Sequence, residues 1–122
     1  MAFSGDFERL ARENDAFRRV VATGEHAQTV VMTIGPGEEI GEETHEGDQI
    51  LFFVMGEGEA VLDGRVSPVR ANSVVFVPAG TVHNFRTTGA VPLRLVTVYA
   101  PPEHADGTVH ETKAEADAVE EG

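Results

Sequence analysis

The sequence predicts an all-β protein, an antiparallel sandwich or barrel with a short helix in front and a polar tail behind. Three observations carry this. Short runs rich in Val, Ile, Phe and Leu recur along the chain. Glycine, proline and Asp-Gly turns separate them at regular spacing. No helical periodicity intervenes between about residues 20 and 101, so strands follow one another by tight turns rather than by crossover helices.

The elements follow in order. Residues 6–13 fit a helix: Asp6 suits its N-cap, and Phe7, Leu10 and Ala11 share one face. Asn14-Asp15 ends it, and Phe17–Ala22 reads as extended. Gln28–Ile34 stops at Gly-Pro-Gly, and Gln49–Met55 stops at Gly56-Glu-Gly58. Glu59–Leu62 runs into Asp63-Gly64, a hairpin signal because both central turn positions want positive φ. Arg65–Val69, Ser73–Val77, Val82–Thr87 and Val91–Tyr99 complete the series, the last closed by Pro101-Pro102. The tail from Glu103 is polar, and a frayed helix or disorder is expected there. The 122 residues suffice for one domain with a core of its own, spanning 1–122 with the barrel at about 20–101.

Composition removes several functions. A hydrophobic share of 41% argues for folding rather than disorder. With no cysteine, disulfides, thiolate zinc sites and cysteine nucleophiles are excluded, which leaves any metal to His, carboxylate and amide ligands. The net charge of -12 makes this an acidic protein and speaks against nucleic acid, since no basic surface is present to displace counterions. No apolar run approaches the roughly 20 residues of a membrane span, and the start of the chain lacks a basic-then-apolar leader. A soluble, cytoplasmic protein without nucleic-acid or membrane partners is expected.

Two segments carry the chemistry. The first runs from Gly37 through Glu43, His45 and Gln49 to Gly56; the second is Pro78-Ala-Gly80-Thr-Val-His83. Strand alternation lets Glu43, His45 and Gln49 point to one face, continued by Leu51 and Phe53. His83, Phe85 and Thr87 share a face in the second segment. Should both faces line the interior, two imidazoles, a carboxylate and an amide converge among apolar side chains. That donor set makes a divalent metal site, and without a metal its buried polar groups are costly. Phe53, Phe76, Phe85 and Tyr99 are assigned to the core. His26, His104 and His110 match neither segment and are taken as surface residues, although the last two follow the final strand and can fold over the barrel mouth.

The two segments resemble the two motifs of the cupin superfamily. Gly37, Glu43, His45, Gln49 and Gly56 stand at the spacing of the first motif. Asn72, Pro78, Gly80, His83 and Thr87 stand at that of the second. Two positions depart: Glu43 replaces the usual first His, and Gln49 the usual Glu, so the carboxylate has changed places. Pro78-Ala-Gly-Thr-Val-His-Asn and Tyr99-Ala-Pro-Pro-Glu-His resemble small single-domain, mannose-6-phosphate-isomerase-like cupins. The resemblance implies an RmlC-like jelly-roll barrel, a double-stranded β-helix, holding one divalent ion (Fe, Mn, Ni or Zn) through Glu43, His45, Gln49 and His83.

That reading implies a small metalloenzyme acting on an oxygenated small molecule, by dioxygenase- or isomerase-type chemistry, with Glu43 as its only side chain able to serve as a base. The alternative is a binding or storage protein without turnover. A homodimer is expected because Ile50, Phe52 and Val54 alternate with the inward set, and similar cupins pair sheet to sheet, often with N-terminal strands exchanged.

Overall fold

Alternation along one strand sets the architecture. In the computed structural model, which describes residues 2–121, Gln49, Leu51 and Phe53 are buried while Phe52 between them is 40% exposed. Such a strand has one face on the core and one toward solvent, as an antiparallel sandwich requires.

The chain opens with helix α1 (Phe7–Glu13), then strands β1 (Arg18–Thr23) and β2 (Gln28–Ile34). After a long irregular connection come β3 (Asp48–Met55), β4 (Glu57–Leu62), β5 (Arg65–Arg70) and β6 (Val74–Val77). β7 (His83–Thr87), β8 (Leu93–Ala100), a short β9 (Val109–His110) and α2 (Lys113–Glu121) complete it. Six strands form one antiparallel sheet in the order β6-β3-β8-β2-β1-β9, and three form the other, β5-β4-β7. One buried cluster draws on both sheets, with Met32, Ile34, Leu51, Phe53, Leu93 and Leu95 from the larger and Ala60, Val69 and Phe85 from the smaller. The core therefore lies between the sheets.

Local chemistry explains the joints. Asp6 caps α1 by accepting from the Arg9 N–H at 3.0 Å. Asp63 and Gly64 both take positive φ, 49° and 81°, giving the β4–β5 hairpin the right-handed twist of its strands. Gly56 also has positive φ, and a Cβ there would meet the Pro92 carbonyl at 2.4 Å, so the β3–β4 joint admits no side chain. Asn72, at the position of a motif glycine, takes φ 76°. Asparagine tolerates that region better than other non-glycine residues.

Two expectations need correction. Phe76 belongs to the outer face of β6 and is 54% exposed, because the register puts it opposite Ile50, also on the outward set. The tail ends in a helix, one of the two outcomes expected of it, but residues 103–121 are not loose: they supply β9, hydrogen-bonded to β1, and then α2, whose Ala116 is buried in the main core. β1 pairs with β2 along one edge, and through Arg18 and Arg19 with β9 along the other. Among the described residues no helix is long and apolar enough to cross a membrane.

Candidate metal centre

Main-chain pairing brings the two sequence segments together. The connection from β2 to β3 runs along β7 as an interrupted strand, with Ile40 N–H donating to the Phe85 carbonyl at 2.9 Å. Glu43 and His83 then exchange both backbone hydrogen bonds, at 2.9 and 3.0 Å. Directly opposite residues in an antiparallel pair project from the same face, and so do residues two apart on one strand. Glu43, His45 and His83 thus face inward together. The His45 carbonyl accepts from Gly80 N–H at 2.9 Å, which ties the first segment to the Pro78–Gly80 turn. The Asp48 carboxylate fixes the same turn by accepting from Ala79 N–H at 2.9 Å.

The ligand atoms of Glu43, His45 and His83 all lie within 4.8 Å of one another. Glu43 Oε1 is 3.3 Å from His45 Nε2 and 3.9 Å from His83 Nε2, and the two imidazole centroids are 5.0 Å apart. The outer ring nitrogens are spoken for. His83 Nδ1 is 2.8 Å from the Thr81 carbonyl, which can only accept, so Nδ1 carries the proton. His45 Nδ1 is 3.1 Å from Glu103 Oε1, again an acceptor. With Nδ1 turned to an acceptor on each ring, Nε2 is the atom that each ring presents to the interior. His45 Nε2 and His83 Nε2 are buried and make no hydrogen bond; the Glu43 contact is close but not aligned as one.

Charge follows from the geometry. Burial alone would raise the Glu43 carboxyl, but the hydrogen-bonding reach and charge of His45, then the charges of His83 and Arg18, hold it below the usual carboxylate range. Burial would likewise lower His45; the carboxylates of Glu43 and Glu103 overcome it and raise the ring above its ordinary value. His104 has no such carboxylate contact. Burial, then the nearby positive Arg18, pushes it down to about 4.

Gln49 is 2% exposed on β3. Its Nε2 donates to Thr97 Oγ1 at 3.0 Å, and that hydroxyl donates to the Ile50 carbonyl at 2.9 Å. This fixes the amide and leaves Gln49 Oε1 buried without a partner. In the register Gln49 stands opposite Tyr99, whose ring centroid is 5.5 Å from that of His45.

The residues present fit a divalent metal ion. Two imidazole nitrogens and one carboxylate oxygen converge with their lone pairs unspent, and an acceptor oxygen of Gln49 is left over on the neighbouring β3. Buried polar atoms normally find partners, because an unmade hydrogen bond costs about 1–3 kcal/mol. An ion would satisfy the two imidazole nitrogens and the carboxylate oxygen together.

The segment after β8 follows the alternative that the sequence left open for His104 and His110, folding back over the barrel rather than lying on the surface. His104 and His110 are not surface residues: His104 packs edge-on to Tyr99 at 5.3 Å, and His110 is 7% exposed, with Nδ1 3.1 Å from Arg18 Nη1. The signal was Pro101-Pro102, which turns the chain back across the barrel end, directly after an inward-facing Tyr99. His26 is a surface residue as expected, its side chain 88% exposed.

Comparison with known proteins agrees with this architecture. The family described as "Cupin domain" matches residues 30–99. The uncharacterized protein YrkC of Bacillus subtilis is 42% identical over 127 residues, covering 98% of this chain and 68% of YrkC. The crystal structure of BH2720 from Bacillus halodurans superposes with a TM-score of 0.94 at 42% identity, over 97% of this chain and 95% of that one. A shorter match, 40% identical over 68 residues, is to an acireductone dioxygenase of Parvibaculum lavamentivorans; it covers 52% of this chain and 37% of that protein. The chain belongs to the cupin domain family, with an RmlC-like fold and a His/Glu group compatible with a metal ion.

Proposed function

We propose that this chain is a divalent-metal-dependent enzyme acting on a small oxygenated substrate, with Glu43, His45 and His83 as metal ligands and Gln49 beside them. The observation that carries the proposal is the pair of inward, unpartnered Nε2 atoms, each fixed by an Nδ1 hydrogen bond on its far side. Imidazole and carboxylate donors suit Fe, Mn, Ni or Zn. Such an ion supplies Lewis-acid polarisation of a substrate oxygen and, if it is redox-active, dioxygen chemistry.

The chain's own residues do the rest. His45 and His83 present neutral nitrogen. Glu43 presents an oxygen and, unlike Gln49, can act as a base. Gln49 cannot act as a base; its amide accepts or donates a hydrogen bond and orients what lies beside it. Arg18 is buried, and its charge reaches Glu43 and helps keep it ionised. The short match to an acireductone dioxygenase is in keeping with oxygen-dependent chemistry.

The test has two stages. Elemental analysis of untagged protein should find one divalent ion per chain. Metal-loaded protein should then turn over one of a panel of diketones, catechols and sugar phosphates, and His83→Ala should not. Saturable binding with no turnover of any panel member would leave a non-catalytic binding protein.

We further propose that two copies pair through the outer face around β6 and β3. Val74, Phe76 and Phe52 are 60%, 54% and 40% exposed there, beside an apolar hollow of about 240 Å³ lined by Phe7, Phe52 and Val96. Contiguous apolar surface of this kind marks contact sites. Light scattering should give a dimeric mass, and Phe76→Lys a monomeric one.

A further inference from the structure

We propose that Glu103 is a positioning residue of the metal centre, and that Gln28 holds it there. The inference rests on the metal reading above and extends the site beyond the matched cupin region, which ends at residue 99.

The argument starts from a buried amide. Gln28 faces the interior of β2 at 1% exposure, opposite Tyr99 in the register. An amide offers two N–H donors and two acceptor lone pairs. Gln28 uses all four. Its Nε2 donates to the His104 carbonyl at 2.7 Å and to Thr23 Oγ1 at 3.0 Å. Its Oε1 accepts from Glu103 N–H at 3.2 Å and from His104 N–H at 3.0 Å. Three of these bonds go to the backbone of two consecutive residues, so the amide acts as a clamp on the segment leaving β8. A buried amide that spends three of its four hydrogen bonds on main chain outside the sheet defines where that main chain runs.

The clamp decides where the next side chain goes. Glu103 sends its carboxylate to His45 Nδ1 at 3.1 Å. A carboxylate accepts only, and the Glu103 contact is aligned as a hydrogen bond where the 3.3 Å approach of Glu43 to Nε2 is not, so in the neutral ring Glu103 favours hydrogen on Nδ1 and leaves Nε2 toward Glu43 and His83. The other imidazole gets the same service from its own neighbourhood, through the Thr81 carbonyl. For His45 the service comes from fifty-eight positions away in sequence. A hydrogen-bonded carboxylate behind a ligating imidazole both orients the ring and makes it a better donor.

Removing Glu103 should therefore weaken metal binding without weakening the barrel, since its side chain is 37% exposed. Cobalt(II) titration, followed by visible absorption, reads the affinity. Glu103→Ala should lose about ten- to a hundredfold. Glu103→Gln keeps an acceptor oxygen on the same stem and should recover part of that loss. Gln28→Ala should lose as much as Glu103→Ala, and the double variant no more than either, because both act through one contact. The metal-free melting temperature of both Glu103 variants should match wild type, which a merely structural residue would not allow.

A second readout needs no metal. Imidazole nitrogen spectra of the metal-free protein, taken at alkaline pH where the ring is neutral, should show His45 protonated on Nδ1 in wild type and shifted toward Nε2 in Glu103→Ala. Cobalt affinity and tautomer must both move; if either stands still in Glu103→Ala, Glu103 does not position His45. The Glu103 variants decide the matter alone should Gln28→Ala fail to fold. Wild-type protein that takes up no cobalt would be a different failure: it would remove the metal centre, and the positioning role with it.

Discussion

The two ends of the barrel interior are lined by the same strands and differ in one respect. At one end Phe53, Leu93, Leu95 and Phe85 pack against each other, and the polar Thr87 among them spends its hydroxyl on the Ile34 carbonyl at 2.9 Å. At the other end β3, β7 and β8 contribute Gln49, His83 and Tyr99 instead, and buried polar atoms of His45, Gln49, His83 and His104 have no hydrogen-bond partner. The first end is finished by folding; the second is not. A protein keeps unsatisfied buried polar atoms against their cost where function requires them.

If the ends divide labour in this way, variants should separate stability from metal binding. The largest expected effect is at the apolar end. Phe53→Ala removes a ring that is 2% exposed and packs 5.8 Å from Phe85, and should cost about 3–5 kcal/mol of unfolding free energy. Chemical denaturation would measure this, and the variant that remains folded should still bind one metal per chain. His83→Ala should do the reverse. Its metal-free stability should stay near wild type or rise, because an unsatisfied buried atom is removed, while the added stability from metal, about 3 kcal/mol at a hundredfold excess over the dissociation constant, should vanish. A large drop in metal-free stability would break the division.

Gln49→Ala should have a smaller effect, weakening metal about tenfold rather than abolishing it, because a neutral amide is a weaker ligand than imidazole or carboxylate. Isothermal titration would place it between wild type and His83→Ala. The smallest effect concerns pH. His104 is held at about 4 when folded, against 6.5 for an ordinary histidine. Between these values the unfolded chain binds the extra proton, so stability rises with pH across this window and is lost as pH falls from about 6.5 toward 4. His104→Gln should flatten that slope in metal-free protein; an unchanged slope would mean that His104 is not buried in its neutral form.

The same contrast explains what was legible in the sequence. Leu51, Phe53 and Phe85 were placed correctly because strand alternation alone puts them inside. Glu43, His45 and His83 were brought together on paper by motif spacing, and the structure shows the physical cause: Glu43 and His83 are a hydrogen-bonded cross-strand pair. Phe76 was misplaced because β6 is an edge strand whose outer face is also apolar, so hydrophobicity alone does not reveal which face is inward. Gln28 and Glu103 were not legible at all. Their roles depend on contacts between positions 75 and 76 apart for the clamp, which no local pattern encodes. His104 and His110 were read first as surface residues, with the barrel mouth as the alternative, because a polar segment reads as solvated until the strand that receives it, β1, is known.

The central claim is that the unsatisfied end of the barrel is a metal site built by Glu43, His45 and His83. Metal content combined with chelator-dependent melting tests it most directly, on wild type and on the His45→Ala, His83→Ala double variant. Wild type should contain one divalent ion per chain and melt at a lower temperature after chelation, while the double variant should contain none and melt at the same temperature with or without chelator. A double variant that keeps its metal, or a metal-loaded wild type whose melting temperature is unmoved by removing the metal, would contradict the account.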